Sequence, residues 1–463
     1  MTYAVLDLRI REWVGVLNSL GVGRNDRVAL VLPDGPATAV ASLGIASAAT
    51  CAPLNPGFRR AEFEAHFQRI RPQALVVSND GNPGAMEAAR SQGIPVWKFC
   101  GREGPIEVDG KPLSRRIDGG WARPGDTALL LPTSGTSASP KYVPLTHRNV
   151  CFAAQGIRAA LELSGADRCL NVMPLFHIHG LSLLYASLAA GGSVVCPPGF
   201  DAGSFPGWLR SSSATWYSAA PSIHRMILDA VRHHPDLPAT TELRFVRSAS
   251  APMPRPWIEE IESELGVPFI EAYGMTEAGP QIASNRLSPH LRKPGSVGRA
   301  AGPEVTILDD EGRPVALGET GEVAIRGVNV MSAYEDDPEA NRAAFVGEWL
   351  RTGDFGYLDS DGHLYITGRR ADVINRGGEK FSPLEIEEVL REHPGVAEAV
   401  AFSTPHPVLG QHVAAVVVPR RSAADNPPEV NPARLIQELR ERVTARLAAF
   451  KAPHPILVAG EIP

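Results

Sequence analysis

Thr133 to Lys141 reads T-S-G-T-S-A-S-P-K, and the rest of the chain can be worked out from it. A short apolar run before it, Ala128 to Leu131, predicts a buried strand, and Thr146 after it is a good N-cap for the helical pattern that starts at His147. The spacing predicts a hydroxyl-rich loop between a strand and a helix. Such a loop can wrap an anion. Gly135 lets the backbone turn and approach closely, Thr133, Ser134, Thr136 and Ser137 offer hydroxyl donors, and Lys141 adds a point charge. The pattern is not the P-loop of the common NTPases, which needs a second Gly before the Lys and a Ser or Thr after it; here Pro140 and Tyr142 hold those places. On local composition alone the segment is more often a plain solvated loop. Three distant segments reverse that reading.

Those segments are Tyr273 to Glu277 (Y-G-M-T-E), Arg351 to Asp354 (R-T-G-D) and Gly368 to Pro383 (G-R-R-A-D-V-I-N-R-G-G-E-K-F-S-P). With the loop, in this order and over this span, they resemble the adenylate-forming superfamily of acyl-CoA synthetases, carrier-protein adenylation domains and beetle luciferases. The resemblance covers the chain from about Ala128 to its end. Within the superfamily, Ala214 to Ile223, Lys293 to Gly298 and Ile374 to Pro383 are similar to the oxalate:CoA ligase type and to related 4-coumarate-like ligases.

Composition bounds the rest. At 463 residues the chain exceeds one compact core, so two or three domains are expected. With 21% charged and 44% hydrophobic residues it has the make-up of a soluble globular protein, and a net charge of -6 provides no basic stripe for a nucleic-acid partner. Five widely spaced cysteines without C-x-x-C argue against a disulfide framework or a zinc site and fit a cytoplasmic location. There is no signal-peptide pattern at the N-terminus. The most apolar segment, Leu181 to Val195, is too short to span a membrane and is broken by Gly191 and Gly192.

Read in order, Leu6, Ile10, Trp13, Leu17 and Leu20 mark one face of an amphipathic helix. Strands at Val28–Leu32, Ala74–Val77 and Ile94–Phe99 then alternate with helices at Ala37–Ala49, Glu62–Ile70 and Met86–Arg90, followed by a polar run from Gly101 to Gly125 that predicts a loop or hairpin. A second series has strands near Cys169–Val172, Ser193–Cys196, Ala214–Tyr217, Leu243–Arg247 and Pro268–Glu271, with helices near Ser182–Ala189, Ile223–Val231 and Trp257–Leu265. Alternation of this kind predicts parallel α/β sheets, whose ligands gather beyond the carboxyl ends of the strands; Pro174–Gly180, Arg247–Pro252 and Tyr273–Glu277 all follow predicted strands. From Pro294 short strands joined by turns predict a small β-barrel, and after Gly368 a small α+β unit begins with Ser382, Pro383 and Glu385 as N-cap, first-turn proline and capping-box glutamate. The expected fold is therefore α/β, with two α/β subdomains and a β-barrel in a large N-terminal domain. The resemblance implies an adenylation domain over 1–368, a hinge at 369–372 and a small mobile C-terminal domain over 373–463.

The resemblance also implies roles. The loop from Thr133 through Ser134, Gly135, Thr136 and Ser137 to Lys141 holds the β- and γ-phosphates of ATP. In the segment Glu271, Ala272, Tyr273, Gly274, Met275, Thr276, Glu277, the Tyr stacks on adenine, Thr276 touches the α-phosphate and Glu277 binds Mg²⁺; Ser250, Ala251 and Pro252 lie against the other face of the adenine. Asp354 and Arg369 meet the ribose, and Gly378 lines the pantetheine tunnel of CoA. In P-L-F-H-I-H-G, His177 borders the acyl pocket, with Tyr217, Ser250, Gly274 and Pro280 as further lining. His179 is a second histidine on the same turn. Lys141, Thr276, Glu277 and His177 form the expected catalytic set.

The sequence departs from the family pattern at four places: Ala138 and Tyr142 replace glycines, Ala371 replaces the usual hinge Asp or Lys, and Pro280 replaces the His of oxalate-type members. Pro280, with Trp216 and Tyr217, points to a small or medium acid rather than oxalate. The chain ends at Pro463, before the Lys-containing turn that relatives use for adenylation, so slow adenylation and a less diminished thioester step are expected of it. Three functions stay open on these residues: an acyl-CoA ligase using ATP, Mg²⁺ and CoA, an enzyme loading a carrier-protein phosphopantetheine, and a nucleotide-binding protein with little turnover.

Overall fold

The computed structural model describes residues 1–99, 106–109, 113, 117–133, 140–369, 372, 374–376, 379–407, 409–420 and 431–462. The chain divides into two compact units, Met1–Val305 with Ile325–Leu350, and Thr306–Ala324 with Arg351–Pro463.

The first unit is built on two seven-stranded sheets. After helix α1 (Tyr3–Ser19), strands β1 (Arg27–Val31), β2 (Thr50–Pro53), β3 (Ala74–Ser78) and β4 (Val96–Phe99) alternate with α2 (Pro36–Ala46), α3 (Arg60–Ile70) and α4 (Pro83–Ser91). Then come β5 (Ile106–Asp109), β6 (Thr127–Pro132) and β7 (Tyr142–Thr146), giving the order β5-β4-β3-β1-β2-β6-β7. The inner strands are parallel and almost wholly apolar, as strands covered on both faces must be. The outermost two, β5 and β7, run antiparallel to their neighbours.

The second sheet has the order β14-β13-β12-β11-β10-β8-β9. Its strands are β8 (Arg168–Leu170), β9 (Ser193–Val195), β10 (Trp216–Ala219), β11 (Phe245–Ser248), β12 (Phe269–Gly274), β13 (Gln281–Ser284) and β14 (Arg299–Ala300). Helices α5 (His147–Ala160), α6 (Ile178–Ala189), α7 (Phe205–Ser212), α8 (Pro221–Val231) and α9 (Arg255–Leu265) lie between them in the chain. The core of this half gathers Trp216, Tyr217, Phe205, Phe245 and Phe269, all fully buried.

Two expectations change here. The loop after Pro132 does not run from strand to helix: β7 returns antiparallel to β6, pairing Tyr142 with Pro132, so the loop caps a hairpin, and α5 starts only after β7 with Thr146 as its cap. Tyr142 is consequently not a loop residue. It is buried in the first core, its hydroxyl on His66 Nδ1 and its ring edge-on to the His66 ring. Helix α7 is not among the helices expected in this half; its Pro206 stands in the first helical turn, where proline is tolerated.

A third, five-stranded sheet follows, with β15 (Glu304–Leu308), β16 (Gly321–Arg326), β17 (Phe345–Val346), β18 (Trp349–Leu358) and β19 (Leu364–Arg369), where β18 pairs with β16, β17 and β19. Helix α10 (Pro338–Ala344) precedes β17. The second unit is completed by a sheet of β20 (Ile374–Arg376), β21 (Glu379–Phe381), β22 (Val396–His406), β23 (Gly410–Pro419) and β24 (Ile456–Val458), with α11 (Pro383–Arg391) and α12 (Pro432–Arg446). Ser382 caps α11 and Glu385 closes its capping box, as the sequence predicts. Ile386, Leu390, Val413, Val417 and Leu439 are part of a separate core there.

Candidate active site

The neck of the hydroxyl-rich loop is fixed by Thr133, whose N–H donates to the Lys141 carbonyl at 2.8 Å. Ser134, Gly135, Thr136 and Ser137, with Ala138, lie outside the described residues. Lys141 leaves the hairpin with its ammonium 4.9 Å from the centre of the Tyr334 ring, within cation–π range. On the same side chain, the Tyr334 hydroxyl donates to Glu277 Oε1 at 2.7 Å. Burial and the adjacent Glu277 carboxylate push the Tyr334 phenol well above its usual range, so it stays a donor. Asn341 clamps the Tyr334 backbone from both sides, accepting from its N–H at 2.7 Å and donating to its carbonyl at 2.9 Å. One aromatic ring therefore bridges the proposed phosphate lysine and the proposed metal carboxylate.

Glu277 itself sits in a single 3₁₀ turn, Thr276–Ala278, that follows β12. The turn is tight because Met275 N–H bonds back to the Pro280 carbonyl at 3.1 Å; a side chain at Gly274 would lie 2.2 Å from that same oxygen. Asn329 holds the turn from outside, its amide donating to the carbonyls of Ala278 (2.7 Å) and Gln281 (2.8 Å), and Met331 N–H donates to the Glu277 carbonyl at 2.8 Å. Asn149, in the first turn of α5, in turn donates to the carbonyls of Val328 (2.7 Å) and Val330 (3.1 Å). Tyr273 and Ala272 are on β12, paired with Ala283 and Ser284 of β13, and Tyr273 is half-buried at its exit. Glu271 is buried, accepts from Gly295 N–H at 3.0 Å, and is pushed up to about 7 by burial, partly opposed by that bond and by Arg292.

Ser250, Ala251 and Pro252 form an exposed turn after β11, with Ser250 at φ 82°, a left-handed value unusual for a residue with a side chain. The Ser250 hydroxyl meets Nδ1 of His179 at 2.9 Å, and Nε2 of His179 meets the Ser218 hydroxyl at 2.8 Å. Of the two histidines, His179 is the one built into a buried network, while His177 is the exposed N-cap of α6 beside Phe176. Tyr217 is a correction. It points away from Ser218, into the helix-covered core against Phe205 and His224, and is not brought together with His179 and Ser250.

In the second unit, Asp354 and Arg369 are register partners across β18 and β19, with Arg369 Nε donating to Asp354 Oδ1 at 3.1 Å. Asp354 is buried and Arg369 largely exposed. Gly378 and Ala371 lie outside the described residues.

Sequence reasoning passed over Tyr334 and Asn329, and named Arg247 only as the first residue of the segment Arg247–Pro252, with no role. Tyr334 sits in an acidic, turn-like stretch with no period, and Asn329 resembles any loop asparagine, so neither offered a local signal.

A carboxylate held by a phenol whose ring also meets a lysine suits Mg²⁺ and phosphate chemically, since Mg²⁺ takes one or two protein carboxylates and fills its shell with phosphate oxygens and water. The structure is that of an adenylate-forming enzyme: it superposes on the crystal structure of ATP-bound MatB from Rhodopseudomonas palustris with a TM-score of 0.87 at 27% identity, over 100% of this chain and 90% of that one. Among curated proteins, the oxalate–CoA ligase of Arabidopsis thaliana is 37% identical over 100% of this chain and 90% of its own length, and the sulfoacetate–CoA ligase of Cupriavidus necator is 35% identical over 96% and 86%. The family model of the AMP-binding enzymes matches residues 1–335, and that of the AMP-binding enzyme C-terminal domain matches residues 385–463. The chain belongs to the AMP-binding enzyme family.

Proposed function

We propose a division of labour among these residues within an ATP-dependent acyl-CoA ligase. The chain is an acid–thiol ligase that uses ATP, Mg²⁺ and CoA. The carboxylate of the acid attacks the α-phosphorus of ATP, the bond to pyrophosphate breaks, and an acyl-adenylate forms; the CoA thiol then attacks the acyl carbon and AMP leaves. Lys141 and the loop from Thr133 to Ser137 bind the β- and γ-phosphates. Thr276 donates to the α-phosphate, and Tyr273 packs on the adenine opposite Ser250 to Pro252, with Glu271, Ala272, Gly274 and Met275 shaping that cleft. Asp354 and Arg369 hold the ribose. Glu277 would hold Mg²⁺, which draws charge off the phosphate oxygens. His177, Ser250 and Pro280 border the acid, and Gly378 admits the pantetheine arm.

The observation that carries this assignment is the Lys141–Tyr334–Glu277 arrangement, because it places a cation and a metal-type carboxylate on one ring. Lys141→Ala and Glu277→Ala should each lower adenylation by roughly 10² to 10³, the usual cost of one lost charge-stabilising contact. Parental rates of pyrophosphate release in both variants would overturn the assignment.

Pro280, in place of a histidine, favours a small or medium acid over oxalate. Free CoA is favoured over a carrier-protein thiol, since the relatives named above are CoA ligases. We also place the hinge at residues 369–372, between an adenylation domain over 1–368 and a C-terminal domain over 373–463. Among the described residues no helix is long and apolar enough to cross a membrane. The four cysteines described there are free, which fits a cytoplasmic enzyme.

A further inference from the structure

Arg247, on β11, is 2% exposed. A buried guanidinium ordinarily has a carboxylate beside it, because desolvation costs several kcal/mol that only an opposite charge offsets. Among the described residues none pairs with this one. Its Nη1 donates to the Ser218 hydroxyl at 3.1 Å and approaches His179 Nε2 at 3.5 Å, and its Nη2 donates to Gln281 Oε1 at 3.1 Å. Every one of these partners is neutral. Arginine offers only donors, so the His179 nitrogen turned toward it, Nε2, is the acceptor, and Nδ1 carries the proton that goes to Ser250. Burial and the neighbouring Arg247 hold the imidazole uncharged by lowering its pKa far below the usual value. The Cys169 thiol, whose charge state Arg247 influences, is likewise kept protonated by burial.

Two buried donors in this cluster also lack an acceptor: Arg247 Nε and the Gln281 amide nitrogen. A positive charge surrounded by neutral acceptors, with two orphaned N–H groups, is short of one anion. The cluster lies at the carboxyl end of the second sheet, where Ser218 and Arg247 are register partners on β10 and β11, and it reaches the exposed turn at Ser250 through His179. That end of the sheet is where ligands of open α/β folds gather.

We propose that Arg247, with Gln281 and the His179–Ser218 pair, receives a second anionic group on the acid, a carboxylate or sulfonate at the far end of a short chain from the carboxyl that is adenylated. The proposal rests on the acyl-CoA ligase reading and names the class of acid for it.

The test uses the full chain and acid pairs matched in length: succinate against butyrate, glutarate against valerate, and 3-sulfopropionate against butyrate, assayed by AMP release with ATP and CoA. A site built to bond a polar group rejects the analogue without it strongly, because its own groups are then left unpaired. The dianion should exceed its monoanionic partner in kcat/KM by roughly 10² or more. Comparing succinate with 3-sulfopropionate separates carboxylate from sulfonate. In Arg247→Gln the preference should collapse toward unity, and Arg247→Lys should restore part of it. A thermal-shift series with each acid alone reads the anion site without turnover and without any variant: dianions should raise the parental Tm and monoanions should not. Equal kcat/KM and equal shifts within every pair would mean that the cluster holds only water, overturning the proposal while leaving the ligase reading intact. Dianion-specific shifts without AMP release from any acid would support the anion site and count against the ligase reading.

Discussion

At the scale of single residues, Tyr334 and Glu271 give the sharpest expectations. The Tyr334 hydroxyl fixes the orientation of Glu277 without itself reaching the phosphates in our assignment, so it is a positioning residue. Groups that orient a metal ligand are typically worth 10- to 100-fold in metal affinity. Tyr334→Phe should therefore raise the Mg²⁺ concentration for half-maximal pyrophosphate exchange by roughly tenfold, with the KM for the acid little changed. A direct Mn²⁺-binding titration should show the same weakening. An unaltered Mg²⁺ requirement would remove Tyr334 from the site. For Glu271 the prediction concerns pH. Burial lifts its carboxyl from an ordinary 4.5 to about 7, so the folded state favours the protonated form. Its contribution to stability is complete below about pH 4.5 and is lost as the pH rises through 7. Glu271→Gln, uncharged throughout, should gain on the parent by on the order of 2 to 3 kcal/mol between pH 5 and pH 8. Urea unfolding at the two pH values measures this, and a difference independent of pH would show that the carboxyl is ionised in the fold.

At the scale of elements, the β6–β7 hairpin decides how the loop is held. Tyr142 anchors β7 in the core of the first sheet, so Tyr142→Ala should lower stability by about 3 to 5 kcal/mol, in the range of other buried aromatic truncations. A denaturant midpoint close to the parental one would mean that the ring packs against nothing essential. The same hairpin shows where sequence reading stops. The helices of the first α/β half and the caps at Thr146 and Ser382 were legible, because periodicity and capping chemistry are local. Strand β7 was not, since Pro144 in the middle of Y-V-P-L-T argues against a strand. The structure allows it because β7 is the edge of its sheet, where a missing N–H costs no ladder bond. Tyr217 failed for a related reason. The predicted strand ended at Tyr217, whereas β10 runs to Ala219, and in a period of two the neighbouring residue, Ser218, takes the opposite face. The hydroxyl-rich stretch Thr133 to Lys141, the Y-G-M-T-E turn and the R-T-G-D strand were readable as motifs. Their supports, Tyr334, Asn329 and the Arg247 cluster, were not, because each depends on a partner 30 or more residues away in the chain.

At the scale of the whole molecule, the second unit carries a core of its own, so a backbone change between sheets need not unfold either part. Ala371 occupies the proposed hinge. Proline there would fix φ and remove an N–H. Ala371→Pro should leave pyrophosphate exchange within about threefold of the parent and slow thioester formation from pre-formed acyl-adenylate and CoA roughly tenfold or more, if domain motion separates the two half-reactions. Equal slowing of both half-reactions would place the hinge elsewhere. The amide chain that runs from Asn149 through Val328 and Val330, and from Asn329 to Ala278 and Gln281, has a different consequence. It sets the distance between the first turn of α5, which follows the lysine-bearing hairpin, and the Glu277 turn directly, side chain to main chain, instead of through the more than one hundred residues that separate them in sequence. The intervening strands and helices, which carry Ser218 and Arg247, are thus released from setting that distance. On the proposed assignment, substitutions in the wall that meets the acid can therefore change the substrate while the gauge between α5 and the Glu277 turn stays as it was.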